Sequence, residues 1–271
     1  MQKKWNIHQI QHVEEVSSLQ TALSVDATIA KLLSLRGIKT FEDAKTFFRP
    51  SLDMLHDPFL MKGMSVAVER IVKAIANKEK VLIFGDYDVD GTTSVALVYS
   101  FFKKYIPEMR YYIPDRYAEG YGISFKSIDY AAENNYALII ALDCGIKAND
   151  KIDYANSKNV DFIICDHHLP GDEIPKAVAV LDPKQHDCPY PYKELAGCGI
   201  GFKLAQAFCI QNGIDEQEVF EYLDLVVTSI AADIVPITGE NRVLAHYGLK
   251  KLNADPRPGL KALLALNKQQ D

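Results

Sequence analysis

The 271-residue sequence contains no apolar run approaching the ~20 residues that a membrane span requires. Its opening, Met1-Gln2-Lys3-Lys4-Trp5, carries charge with no apolar stretch behind it, so no secretory signal is expected. The five cysteines (Cys144, Cys165, Cys188, Cys198 and Cys209) are odd in number and include no C-x-x-C pair. That pattern disfavours a zinc site or a disulfide framework, and predicts reduced thiols in a cytoplasmic protein. An excess of basic residues is also missing. The net charge of −6 argues against a protein that coats nucleic acid.

The charge is unevenly placed. Residues 241–271 hold six basic side chains (Arg242, Lys250, Lys251, Arg257, Lys261 and Lys268) against Asp255 and Asp271, leaving −10 on residues 1–240. Bound divalent metal would offset part of that, because carboxylates of a metal site are counted here as bare anions. Hydrophobic content of 48% suffices for a full core in one large domain or two small ones.

The first 64 residues read as a helical N-terminal extension. Asp26 is placed to cap a helix through Leu35, and Thr40-Phe41-Glu42-Asp43 resembles a capping box for another ending at Phe48. Residues 51–64 read as a loop, after which Ser65 is placed to cap a helix reaching Lys78. Residues 65–253 then form the main domain. Its short apolar runs are 81–84, 110–113, 137–142, 161–165 and 177–181. Amphipathic stretches at 92–105, 124–134 and 149–158 separate most of them. This alternation predicts an α/β fold, with a parallel sheet of about five strands covered by helices on both faces. A helical C-terminal part follows, with helices expected over 201–211, 216–232 and 241–253. Residues 254–271 read as the start of a linker helix.

Right-handed crossovers bring every strand's C-terminal end to one edge, where open α/β sheets bind ligands. Three of those ends carry the same chemistry: Asp86-Tyr87-Asp88-Val89-Asp90-Gly91, Asp143-Cys144-Gly145 and Asp166-His167-His168. An acidic cap on the helix near Thr92 needs one Asp, not three. If the strand continues, Asp86, Asp88 and Asp90 alternate to one side, and three like charges there call for a cation. Asp143 alone would read as a turn residue, and Asp182 before Pro183 is assigned that role. Adjacent histidines point differently, so one is expected to ligate while the other meets substrate or acts as an acid, with Asp166 orienting them. Asp233, between Ala231-Ala232 and Ile234, is expected to be buried and to need a partner. Carboxylates with imidazole and no thiolate suit magnesium or manganese. The ligands are too many for one ion. Two ions ~3.5–4 Å apart, bridged by a shared carboxylate, would suit hydrolysis of a phosphate ester or anhydride.

These ordered motifs resemble the DHH phosphoesterase superfamily, and within it the single-strand-specific RecJ-type exonucleases. Supporting segments are Asp57-Pro58-Phe59-Leu60-Met61-Lys62-Gly63-Met64, Tyr112-Ile113-Pro114-Asp115-Arg116-Tyr117-Ala118-Glu119-Gly120-Tyr121-Gly122, Pro183-Lys184-Gln185, Tyr190-Pro191-Tyr192-Lys193-Glu194-Leu195-Ala196-Gly197-Cys198-Gly199 and Gly239-Glu240-Asn241-Arg242. The resemblance implies 5′-to-3′ hydrolysis of single-stranded DNA to mononucleotides, in DNA repair and recombination, with two Mn2+ or Mg2+ ions. It implies Asp88, Asp90, Asp143, His167 and Asp233 as ligands, and Asp86 as a ligand or a group behind them. His168 and Asp166 would be catalytic, and Arg116, Gly199 and Arg242 would meet substrate. It further implies a monomer without membrane attachment, with repair partners such as a helicase or a single-strand-binding protein. Members of this type continue into a DHH-associated domain, so the chain is expected to be a truncated core that binds metal and degrades DNA poorly.

Three other readings compete. Asp88-Val89-Asp90-Gly91-Thr92 matches the opening of haloacid-dehalogenase-like phosphatases, which leaves Asp143 and Asp166-His167-His168 unexplained. A small phosphodiesterase acting on short oligonucleotides or cyclic dinucleotides would keep the same ligands. A non-catalytic DHH scaffold would be expected to have lost some.

Overall fold

The computed structural model describes Lys4, Asn6 and residues 13–268. The expected N-terminal extension and linker helix also include residues 1–3, 5, 7–12 and 269–271, which lie outside the described residues. The chain divides into two compact units, 1–54 and 55–271.

In the first unit, helices α1 (Val13–Leu23), α2 (Ala27–Leu35) and α3 (Phe41–Phe48) close around Val16, Leu19, Ala30, Leu33, Ile38 and Ala44. Asp26 caps α2 by accepting the Thr28 N–H at 2.7 Å. Thr40 and Asp43 form the capping box on α3 that their spacing predicts.

The second unit starts at Leu55, ahead of the expected boundary at 65. The His56 N–H donates to Glu240, and the Lys62 N–H to Cys188 Sγ, so this stretch is anchored along its length. Helix α4 (Met64–Ala76) begins one residue before Ser65, which therefore lies inside the helix and does not cap it. The capping position is Gly63, at φ 87°, where a Cβ would also meet the Val180 carbonyl oxygen at 3.1 Å.

The sheet is the expected one. Strands β1 (Lys80–Gly85), β2 (Met109–Tyr112), β3 (Tyr136–Leu142), β4 (Asp161–Cys165) and β5 (Ala179–Leu181) are all parallel, in the order β2-β1-β3-β4-β5. Leu82, Phe84, Ile139, Ala141, Phe162 and Ile164 point to the face covered by α6 (Phe125–Glu133) and α7 (Asn149–Ser157). Alternate residues such as Leu142 face α5 (Val89–Phe102) and α8 (Gly197–Asn212). With both faces covered, β1, β3, β4 and β5 are apolar almost throughout, whereas the edge strand β2 exposes Arg110 and Tyr111; each fully buried Leu, Ile or Phe contributes roughly 1.5–3 kcal/mol.

The helices depart from the sequence reading in three places. α5 starts at Val89, not Thr92, because β1 stops at Gly85 and Asp88 caps the helix by accepting the Gly91 N–H at 2.8 Å. Asp86, Asp88 and Asp90 therefore do not alternate along a strand: they occupy a loop, a cap and a first helical turn. α8 starts at Gly197, four residues before Gly201. The single helix expected over 216–232 is two, α9 (Gln217–Phe220) and α10 (Leu223–Ala232), separated at Glu221-Tyr222. Helices α11 (Gly239–Ala254) and α12 (Pro258–Lys268) complete the described chain. All five cysteines are buried and unpaired, and among the described residues no helix is long and apolar enough to cross a membrane.

Candidate metal centre

The strand order reverses between β1 and β3: β2 lies outside β1, whereas β4 and β5 follow β3 on the other side. Loops leaving two such neighbouring strands diverge and open a crevice at their C-terminal ends. The β1 loop carries Asp86 and Asp88, the β3 loop starts at Asp143, and the β4 loop starts at Asp166-His167-His168.

His167 is the hub. Its Nε2 lies 3.1 Å from Asp143 Oδ1, and 3.7 Å from both Asp90 Oδ2 and Asp233 Oδ2. Two groups offer ligand atoms within 4.8 Å of one another, Asp143–His167–His168 and Asp90–His167–Asp233. The member they share is an imidazole, where the sequence reading placed a carboxylate. Asp86 and Asp88 stand outside both groups.

Each side chain is held by a different local device. Asp90 sits over the start of α8, its Oδ2 accepting the Gly197 N–H and its Oδ1 the Cys198 N–H, both at 2.8 Å; Ser229 Oγ donates to Oδ1 as well. A carboxylate at a helix N-terminus is favoured by the dipole and by the free N–H groups. Asp143 has φ 60°, in the left-handed region that L-residues seldom occupy, and its N–H donates to the Cys165 carbonyl. Asp166 is buried. Its Oδ1 accepts the His167 and His168 N–H groups and pairs with His168 Nδ1 at 2.7 Å, while Oδ2 accepts the Ile146 N–H. Asp166 thus holds His168 at both its backbone N–H and its ring.

Asp233 differs from expectation. It ends α10, and its side chain is 34% exposed, not buried. The core-facing residues of α10 end at Ile230; Ala231 and Ala232, which suggested burial, are themselves exposed. Asp233 forms the outer wall, followed by Ile234 at φ 57°.

Burial and mutual repulsion shape the electrostatics of these acids. Burial, then the Asp90 and Asp88 charges, push the Asp143 carboxyl up to about 10. Burial also raises Asp233 and Asp86. Burial would raise Asp166 too, but the His168 hydrogen bond and charge hold it below the usual carboxylate range. The same bond raises His168. Asp143 Oδ1, Asp86 Oδ2 and both His167 nitrogens are buried without a hydrogen-bond partner; the 3.1 Å Asp143–His167 approach is too poorly aligned to count as one. Such atoms are costly unless something pairs with them, and a divalent cation fits oxygens and imidazole together.

Residues 80–230 match the DHH family, N-terminal domain. The chain belongs to the DHH family. The single-stranded-DNA-specific exonuclease RecJ of Bacillus subtilis is 40% identical over 264 residues, covering 97% of this chain and 33% of that protein. RecJ of Escherichia coli is 33% identical, covering 93% and 44%. The chain thus spans between a third and a half of the length of these relatives. A crystal structure of exonuclease RecJ bound to manganese superposes with TM-score 0.71 at 28% identity, over 80% of this chain and 54% of that one. RecJ of Thermus thermophilus in complex with Mn2+ gives 0.77 at 26%, over 93% and 35%.

Beyond the DHH motifs, the structure brings in residues the sequence reading passed over. Gly197 lies so close to Asp143 that a Cβ there would be 2.7 Å from Oδ1. By contrast, a Cβ at Gly199, the glycine expected at the substrate, would meet the Leu195 side chain at 3.4 Å. Ser229 and Tyr121 also border the site. No local pattern marks Ser229, whereas Gly197 and Tyr121 lie in segments that carry the family resemblance without a role of their own there. Arg116 is exposed, its guanidinium 5.3 Å from the Tyr87 ring centroid. Arg242 is half-buried on α11, away from the strand-end loops in sequence.

Proposed function

We propose that this chain is the phosphodiesterase core of a RecJ-type exonuclease. It would degrade single-stranded DNA from the 5′ end to mononucleotides, in the cytoplasm, as a monomer acting in DNA repair and recombination. The observation that carries this reading is the His167 hub, where two ligand groups meet around buried, unpaired oxygen and nitrogen atoms. The relatives' names and the manganese-bound structures support it.

In this reading Asp90, Asp143, His167 and Asp233 hold two Mn2+ or Mg2+ ions, with Asp88 and Asp86 adding negative charge around them. The ions supply Lewis-acid activation of water and neutralise charge developing on the phosphate. The chain's own groups position the reactants. Asp166 fixes His168 through Nδ1, which leaves Nε2 to meet a phosphate oxygen. Asp166 raises the proton affinity of His168, which suits this imidazole to steady an oxyanion or to protonate a leaving oxygen. Arg116 and Arg242 are assigned to the DNA backbone, whereas Gly199, buried in α8 against Leu195, is left to helix packing. A helicase or a single-strand-binding protein would supply the substrate. Asp88 is engaged as a helix cap, which fits poorly with a covalent nucleophile.

The test is manganese-dependent release of label from 5′- and 3′-labelled single strands by this chain and by Asp143→Ala. Loss in the variant and preference for the 5′ end are expected. Activity that survives in Asp143→Ala would place the chemistry elsewhere.

A further inference from the structure

A cavity of about 350 Å³ lies beside His168 and Asp166. Ile123, Cys144 and Ile146, all buried, form its apolar base; His168 and the Tyr121 ring stand along it, and Lys147 is at its rim. Tyr121 is half-exposed and perpendicular to His168, with ring centroids 6.5 Å apart. Its other neighbours continue outward: Tyr87 at 6.0 Å, then the Arg116 guanidinium over Tyr87. The cavity is within the range of small-ligand pockets, ~300–1,000 Å³, and besides its apolar base the lining includes the charged Lys147, Asp150, Lys151 and Asp166.

We infer that this cavity is a nucleobase subsite, in which the base next to the scissile phosphate packs against the Tyr121 ring over the Ile123–Ile146 floor. The inference rests on the phosphodiesterase reading, because His168 is what puts the cavity beside a phosphate. A flat heterocycle suits an apolar slot with an aromatic wall, and stacking of this kind accepts any base. Lys147 is placed to meet the negative charge of the same nucleotide.

The test uses this chain with Mn2+ and two short single-stranded oligonucleotides, one normal and one lacking the base at the terminal nucleotide. Binding is read by fluorescence anisotropy and hydrolysis by label release. Wild type is expected to bind the normal oligonucleotide about tenfold more tightly, in line with the stacking seen when bases meet aromatic side chains. Tyr121→Ala should abolish that preference, weakening the normal strand far more than the abasic one. Tyr121→Phe, which keeps the ring, should restore the preference. Equal binding of the two oligonucleotides by wild type, or an equal loss on both in Tyr121→Ala, overturns the subsite. If Asp143→Ala abolishes hydrolysis while the base preference is missing, the phosphodiesterase reading stands and the subsite alone falls. A base preference without Asp143-dependent hydrolysis sinks the phosphodiesterase reading.

Discussion

Ser229 Oγ donates to Asp90 Oδ1 at 2.8 Å, joining α10 to the first turn of α5 across 139 residues of sequence. Ser229 is fully buried, and its carbonyl accepts the Asp233 N–H at 2.9 Å. One serine thereby sets the spacing of two acids that share a ligand group. Ser229→Ala removes one of the hydrogen bonds that orient Asp90, and loss of such a supporting contact weakens metal binding by roughly 10–100-fold. Titration of free Mn2+ by electron paramagnetic resonance reads this directly. An unchanged affinity would remove Ser229 from the site.

Gly197→Ala should separate the site from the fold. Alanine favours a helix over glycine by about 1 kcal/mol, so α8 itself is not weakened. Its Cβ, however, would enter within 3 Å of three Asp143 side-chain atoms. Expected results are a modest fall in melting temperature without metal, as Asp143 is pushed aside, and a much smaller rise when manganese is added.

Asp182 governs part of the pH dependence. It is fully buried, and burial pushes its carboxyl up to about 7. An unfolded Asp ionises near pH 3.9. Between about pH 4 and pH 7 the unfolded chain therefore loses a proton that the folded chain keeps. Stability falls as pH rises through that window and levels off above it. Asp182→Asn retains an acceptor for the Lys184 N–H, and should gain stability relative to wild type between pH 4.5 and pH 8. Denaturant titrations at the two values, with chelator present, measure the difference; a constant difference would exclude Asp182 as the cause.

Lys203 is expected to matter for folding and not for chemistry. Fully buried, it donates to the His56 carbonyl at 2.8 Å and lies 2.7 Å from Glu240, which also accepts from Tyr190. Removing one partner of a buried pair costs about 3–5 kcal/mol, because the other charge is stranded. Lys203→Met should unfold at correspondingly lower denaturant. Lys203→Met with Glu240→Leu should recover part of the loss.

The sheet was legible because its strands other than the edge strand β2 are buried on both faces and therefore read as apolar runs. The strand-end acids were legible because their neighbours make them conspicuous. What the sequence hid is tertiary. The DxDxD stretch has the period of a strand and also a good helix cap, and only the end of β1 at Gly85 decides for the cap. Asp233 looked buried from its alanine neighbours, yet the solvent face of a helix end accepts alanine equally well. Ser229 and Gly197 owe their importance to partners far away in the chain, which no local pattern records.

The two groups that meet at His167 belong to different layers of the fold. Asp143 and His168 leave the sheet edge, while Asp90 and Asp233 are carried by α5 and α10. A cation gripped by both sets acts as a removable cross-link, closing a long stretch of chain much as a disulfide would. Folding and metal supply are then linked. On chelation, hydrogen exchange should quicken first at the end of α10 and in the residues after Asp233, while the centre of the sheet stays protected.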